Sequence, residues 1–246
     1  MLDFFFAPQG NPSPDPSPSA PMPLPSSPAA ADADREVEWQ LLAENLEPVR
    51  QWLAAHPKTA GLDIAPRPSL RLRDTYLDTA DWRLLRGGFA LRIRERDDVC
   101  EATLKSLRSA RDDLADRQEI TEVLEGGPAA LSRASGSVGA RLREIAGTAQ
   151  LEMLFRAQTV RQRFAARRPG QAQDAAEIAL DETSLHARDG TLLERLRRVE
   201  IEAIGGDAEP LIPFVVALSA ACALERAGEN KFAAGLRAAG LAPPRT

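Results

Sequence analysis

Two periods of apolar residues alternate along this chain. Over Glu36-Val37-Glu38-Trp39-Gln40-Leu41 polar and large apolar residues take turns, the period of a strand with one buried and one polar face. The same period returns at 70–79, 89–95, 99–107, 114–124, 153–165, 177–185 and 193–204, with a hairpin turn at Asp97-Asp98. Helical spacing takes over in between. A short helix is expected over 47–55, with Pro48 in its first turn and Val49, Trp52 and Leu53 on one side. A turn opens at Asp81 and stops at Gly87-Gly88, and a helical stretch ends near Gly147. Asp207 is placed to cap a long apolar helix stopped by Gly228, and a last short helix carries Lys231.

The polar faces of these strands are unusual in being ionic. Glu36 and Glu38 share one face about 7 Å apart, and Glu200 and Glu202 repeat the pattern late in the chain. If these strands meet, four carboxylates repel by roughly 4 kcal/mol per close pair unless cations lie between them, which points to bound metal. Basic strands carry Arg92 and Arg94, Lys105, Arg117 and Arg161. An open sheet with a solvated ionic face is one arrangement. The other is a closed β-barrel with a charged lumen and helices outside, Val37, Trp39, Ile93, Leu104 and Ile201 facing those helices. A polyanion bound with divalent cations neutralises both sets of charges, and polyphosphate meets that description.

Composition narrows the chemistry. The 246 residues leave room for one large domain, and a formal charge of −5 argues against nucleic-acid binding as the main activity. Two histidines, His56 and His186, are too few for a histidine-rich zinc site, so a metal here has oxygen ligands, favouring Mg²⁺, Mn²⁺ or Ca²⁺. Cys100 and Cys222 read as free thiols in a reducing compartment. Nine of the nineteen prolines lie between Pro8 and Pro28, so residues 1–33 are expected to be a disordered tail, a docking segment for a protein partner being one use for it. The apolar run Phe4 to Phe6 is too short for a signal peptide or a membrane span, and a cytoplasmic location with no membrane partner is expected.

Glu36-x-Glu38, Tyr76-Leu77-Asp78-Thr79, Leu91-Arg92-Ile93-Arg94, Thr103-Leu104-Lys105, Arg117-x-Glu119, Arg161, Leu180-Asp181, Glu200-x-Glu202 and Asn230-Lys231 occur in an order that resembles the CYTH domain, the triphosphate tunnel metalloenzymes. The resemblance spans 34–241, leaving 242–246 as a C-terminal tail, and is strongest to the bacterial inorganic triphosphatase branch. It implies an α+β fold, a closed eight-stranded antiparallel barrel or tunnel surrounded by helices, here without the helical CHAD domain that often follows. It also implies Mg²⁺ or Mn²⁺ and hydrolysis of a triphosphate, inorganic triphosphate first, with thiamine triphosphate as an alternative. Residue by residue, it makes Glu36, Glu200 and Glu202 ligands of one metal, with Glu38, Glu119 and Asp181 placed for a second metal and its water. Gln40, Arg92, Arg94, Lys105, Arg117, Arg161 and Lys231 become the phosphate-binding set, and Glu38, Lys105 and Arg161 the catalytic residues. Gln40 departs from the family's usual lysine, which raises a second reading: a binding module for polyphosphate or nucleotides with weak turnover. On the sequence alone, restoring a lysine at position 40 is expected to be tolerated.

Overall fold

Alternation in the sequence becomes a single antiparallel sheet in the computed structural model, which describes residues 34–107 and 115–242, with side chains from 37–107 and 118–242. Its strands are β1 (Asp34–Leu42), β2 (Lys58–Thr59), β3 (Leu62–Thr79), β4 (Phe89–Arg96), β5 (Val99–Ser106), β6 (Ala115–Val123), β7 (Leu151–Arg167), β8 (Asp174–His186), β9 (Leu192–Ala203) and β10 (Glu225–Arg226). They are ordered β10-β1-β6-β5-β4-β3-β7-β8-β9, with β2 beside β3 and a further pairing of β1 with β9.

The expected closed eight-stranded barrel is corrected by this topology. The sheet has ten strands rather than eight and is not closed into a barrel: β1, only nine residues long, gives one half to β6 and the other to β9, so neither pairing runs the length of the strand. Residues 34–38 lie against β6 and 38–42 against β9, so Glu38 alone is flanked by both. The added strands β2 and β10 are two residues each, too short for any alternation to reveal.

Alongside the sheet lie the helices α1 (Glu47–Ala55), α2 (Arg83–Arg86), α3 (Ser137–Ala146), α4 (Ile212–Cys222) and α5 (Lys231–Ala238), with short 3-10 helices at Pro128–Arg133 and Glu209–Leu211. On the apolar side of the sheet, α1 and α4 cover Val37, Leu41, Ile178, Leu180, Val199 and Ile201, with Trp39 packed at the edge. The helices α2 and α3 cover Leu91, Ile93, Ala102 and Leu104. Burying such a side chain contributes roughly 1.5–3 kcal/mol, so these two layers fix which face of each strand is left for the ions.

Local chemistry sets the helix ends. Glu122 on β6 accepts hydrogen bonds from the backbone N–H groups of Gly136 and Gly139 at 2.8 and 3.0 Å, placing a carboxylate on the unsatisfied donors at the start of α3. Buried Asp78 does the same for α2, accepting from the N–H groups of Leu84 and Leu85 at 2.9 and 3.0 Å, so this part of the Tyr76–Thr79 motif is structural. The helix α4 differs from the sequence expectation. Asp207 does not cap it; a 3-10 turn over Glu209–Leu211 leads in, and the helix ends at Ala223 in the left-handed region (φ 49°) rather than at Gly228. Cys100 and Cys222 are both free thiols. Among the described residues no helix is long and apolar enough to cross a membrane. The proline-rich segment 1–33 and residues 243–246 lie outside the described residues.

Candidate functional site

The inner face of the sheet is built in layers. Hydroxyl pairs Thr103–Thr121 (3.2 Å) and Thr159–Thr183 (2.9 Å) bridge neighbouring strands. An apolar layer forms from Tyr76, Ala90, Phe155, Ala157, Leu185 and Leu196, against which α5 seats Phe232, Ala234 and Leu236. Tyr76 stacks on Phe155 with ring centres 4.6 Å apart. Asn230 starts α5 by accepting from the Ala233 N–H at 2.9 Å, and the first helical residue, Lys231, is thereby aimed at the acids of β8 and β9.

A cavity of about 640 Å³ opens beside this layer, and Glu38, Gln40, Arg92, Arg94, Lys105, Glu119, Arg161, Glu200, Glu202 and Lys231 all line it. Six strands and a helix thus deliver these residues, spread over most of the described chain, to one space. Glu36 and Arg117 face each other in the β1–β6 register, and their side chains lie outside the described residues. Asp181 does not line the cavity; it is fully buried behind Arg161.

Two clusters of charge result. In the first, Arg161 grips Asp181 through two hydrogen bonds of 2.7 Å and also binds Glu200, while Lys231 lies 3.0 Å from Asp181 and 3.5 Å from Glu200. Burial alone would raise the Glu200 carboxyl, but Lys231, Arg161, Lys105 and Arg198 together hold it well below the usual carboxylate range. Burial would lower Lys231, and Glu200 and Asp181 overcome this and raise it. Asp181, taken as a metal ligand from the sequence, is here the anchor of two cations. In the second cluster, Lys105 lies 3.5 Å from Glu38 and 3.7 Å from Glu119, which is also 3.7 Å from Arg92. Burial pushes the Glu119 carboxyl up, but Arg92, Lys105 and Arg94 prevail and lower it.

Glu202 behaves differently. It faces Glu38 across the β1–β9 pair, and burial first and Glu38 second hold its carboxyl above the usual range. Among the described residues no group of three or more His, Cys, Asp or Glu side chains is gathered for a metal. Two opposed carboxylates with like-charge strain fit a hard divalent cation that completes its shell with water and substrate phosphate, the manner in which Mg²⁺ is commonly held.

Two residues that sequence reasoning passed over belong to the site. Asp74, 1% exposed, receives both arms of Arg94 at 2.7 and 2.8 Å and so fixes that guanidinium at the cavity wall. Arg198, also 1% exposed, donates to the Gln40 side-chain oxygen at 3.3 Å. Period two from Glu200 and Glu202 points to Arg198 as a third member of their face, whereas the pairing of Asp74 with Arg94 depends on a register that the sequence does not print.

No functionally curated protein matches the sequence. Among solved structures, a candidate adenylyl cyclase from Hippeastrum, HpAC1, for which a dominant triphosphatase activity is described, superposes with a TM-score of 0.61 at 20% identity, covering 85% of this chain and 98% of that one. A candidate adenylate cyclase from Bacillus halodurans superposes with a TM-score of 0.56 at 21% identity, covering 81% and 96%. At such identities the likeness concerns the fold. Residues 45–234 match the CYTH domain, a span that leaves out β1 but takes in the charged residues of β4 to β9 and Lys231, and on this match the chain belongs to the CYTH family.

Proposed function

We propose that this protein hydrolyses a triphosphate with the help of a divalent cation, inorganic triphosphate being the preferred substrate and diphosphate and phosphate the products, as in the bacterial inorganic triphosphatase branch of the family. The observation that carries this reading is the lining of one cavity by five cationic side chains, Arg92, Arg94, Lys105, Arg161 and Lys231, together with the carboxylates Glu38, Glu119, Glu200 and Glu202. A polyanion satisfies the cations, and the surplus carboxylates call for metal. Phosphoryl transfer needs positioning and charge neutralisation more than covalent assistance, and this lining supplies both.

Glu38 and Glu202, with Glu36 beside Glu38 along β1, would hold a Mg²⁺ or Mn²⁺ ion, whose chemistry is to neutralise phosphate charge and activate water. Arg92 and Arg94 present forked donors to phosphate oxygens from β4, and Lys105 adds a point charge from β5. Arg161 and Lys231 are pre-set by Asp181 and wait on the opposite side. Glu38, held between Lys105 and Gln40, is the carboxylate best placed to orient a water molecule.

Phosphate release tests the reading directly. With Mg²⁺ or Mn²⁺, wild-type protein is expected to turn over inorganic triphosphate faster than thiamine triphosphate, ATP or long-chain polyphosphate, and Glu38→Gln to suppress that turnover. A second reading, a polyphosphate- or nucleotide-binding module, is favoured by one feature, the neutral Gln40 among these charges. Saturable triphosphate binding without release of phosphate under either metal would establish it.

A further inference from the structure

The largest fully buried side chain among the described residues is an arginine, Arg198, and beyond its share in keeping Glu200 charged the triphosphatase reading gives it no task. It does not line the cavity. Its Nη1 donates to Gln40 Oε1 at 3.3 Å, while its Nε has no hydrogen-bond partner among the described residues. Burying a guanidinium with so few partners is costly, and such a side chain is retained only where its charge acts on something.

What it acts on is read from the chemistry of the contact. Gln40 Nε2 donates to Glu38 Oε1 at 2.6 Å. A guanidinium only donates, a carboxylate only accepts, and a primary amide has one end of each kind. With Arg198 on one side and Glu38 on the other, a single orientation of the Gln40 amide satisfies both neighbours. We propose that Arg198 is a positioning residue of the site, holding Glu38 in place through the Gln40 amide and carrying the positive charge of this part of the β1–β9 pair. The proposal rests on the triphosphatase reading for its effect on turnover.

The consequence is that positions 40 and 198 take one cation between them. A lysine at 40 would place its ammonium against the buried guanidinium, and like charges out of water disfavour each other strongly. The expectation from sequence that Gln40→Lys is tolerated is therefore reversed for the wild-type background.

The experiment compares wild type, Gln40→Lys, Arg198→Met and the double variant by thermal melting and by steady-state phosphate release from inorganic triphosphate. Each single variant is expected to lower Tm by about 2–4 °C or more and kcat/KM by roughly tenfold, with most of both recovered in the double variant. Gln40→Lys then harms in one background and helps in the other, a reversal of sign that mere loss of packing at 198 does not produce. The Arg198→Met loss falls on kcat more than on KM, because the side chain does not reach the cavity. Arg198→Lys is the milder companion: it keeps the charge, so Gln40→Lys remains harmful beside it. Additive single effects, or a Gln40→Lys protein as stable and active as wild type, would overturn the proposal. If no protein in the set releases phosphate, the triphosphatase reading fails instead, and the four melting temperatures still decide whether 40 and 198 share one charge.

Discussion

Asp74 and Arg94 sit opposite each other on β3 and β4, and their pairing shows how a cavity cation is held before any ligand arrives. Burial by itself would raise the Asp74 carboxyl, but the charge and the two hydrogen bonds of Arg94 win and lower it to about 2 from an ordinary 3.8. A carboxyl lowered in the folded state contributes stability that is fully present above its unfolded pKa and is lost as pH falls through the folded one. The pair therefore adds roughly 2 kcal/mol near neutrality, fading between about pH 5 and pH 2. In Asp74→Asn the Arg94 guanidinium stays half-buried without its counter-charge, and a loss of roughly 3–5 kcal/mol is expected. Melting curves measured from pH 7 down to pH 3 check both points: the variant starts lower and has a shallower acid limb than wild type.

At the scale of elements, α5 is both the seal of the apolar layer and the carrier of Lys231. Its Gly235 lies against the Phe155 ring so closely that an added Cβ would be 2.0 Å from the ring's Cζ. Gly235→Ala therefore overpacks the helix at a cost of about 1–3 kcal/mol, more than the up to about 1 kcal/mol that alanine gains over glycine within a helix. Lys231, one turn earlier, moves with it. A lower Tm and at least about a tenfold fall in kcat/KM for inorganic triphosphate are expected, since charge-assisted hydrogen bonds of this kind are worth about 1.5–3 kcal/mol. Gly228→Ala is the control, since nothing lies within 4 Å of its added Cβ, and should leave both readings unchanged. None of this close approach is legible in a helix that reads simply as short and terminal. Legibility in the sequence followed the periodicity. The alternating stretches of β4 and β5 were plain, whereas β3 begins at Leu62 rather than Leu70 because Pro66 and Pro68 mask its first half. Prolines are admitted there because β4 joins β3 only from Arg73 onward, leaving one edge of the earlier part free of that partner, and the register shifts between Arg67 and Leu70. For the site, residue types at strand period exposed the lining acids and bases, but which acid answers which base was set by register, and so the work of Asp74, Asp181 and Arg198 appeared only in three dimensions.

For the whole molecule, the proline-rich segment is expected to be dispensable to the domain. Removing residues 1–31 is expected to leave Tm and phosphate release unchanged, because that composition holds too little patterned apolar surface to add to a core. A large fall in Tm on truncation would show instead that the segment packs on the domain. The divided first strand has a consequence of another kind, in time rather than in space. Glu38 emerges well before its cross-strand neighbour Glu202 and the lysine of α5, which lie far along the chain from it. At cellular elongation rates the first strand waits roughly ten to thirty seconds for β9, carrying an apolar face with Val37 and Leu41 and an unpaired backbone edge, the features that favour misassociation. Contacts so distant in sequence also slow folding. Nascent chains stalled before β9 should thus be the form of this domain that most needs a chaperone, and the charged cavity cannot be complete until β9 and α5 have both emerged.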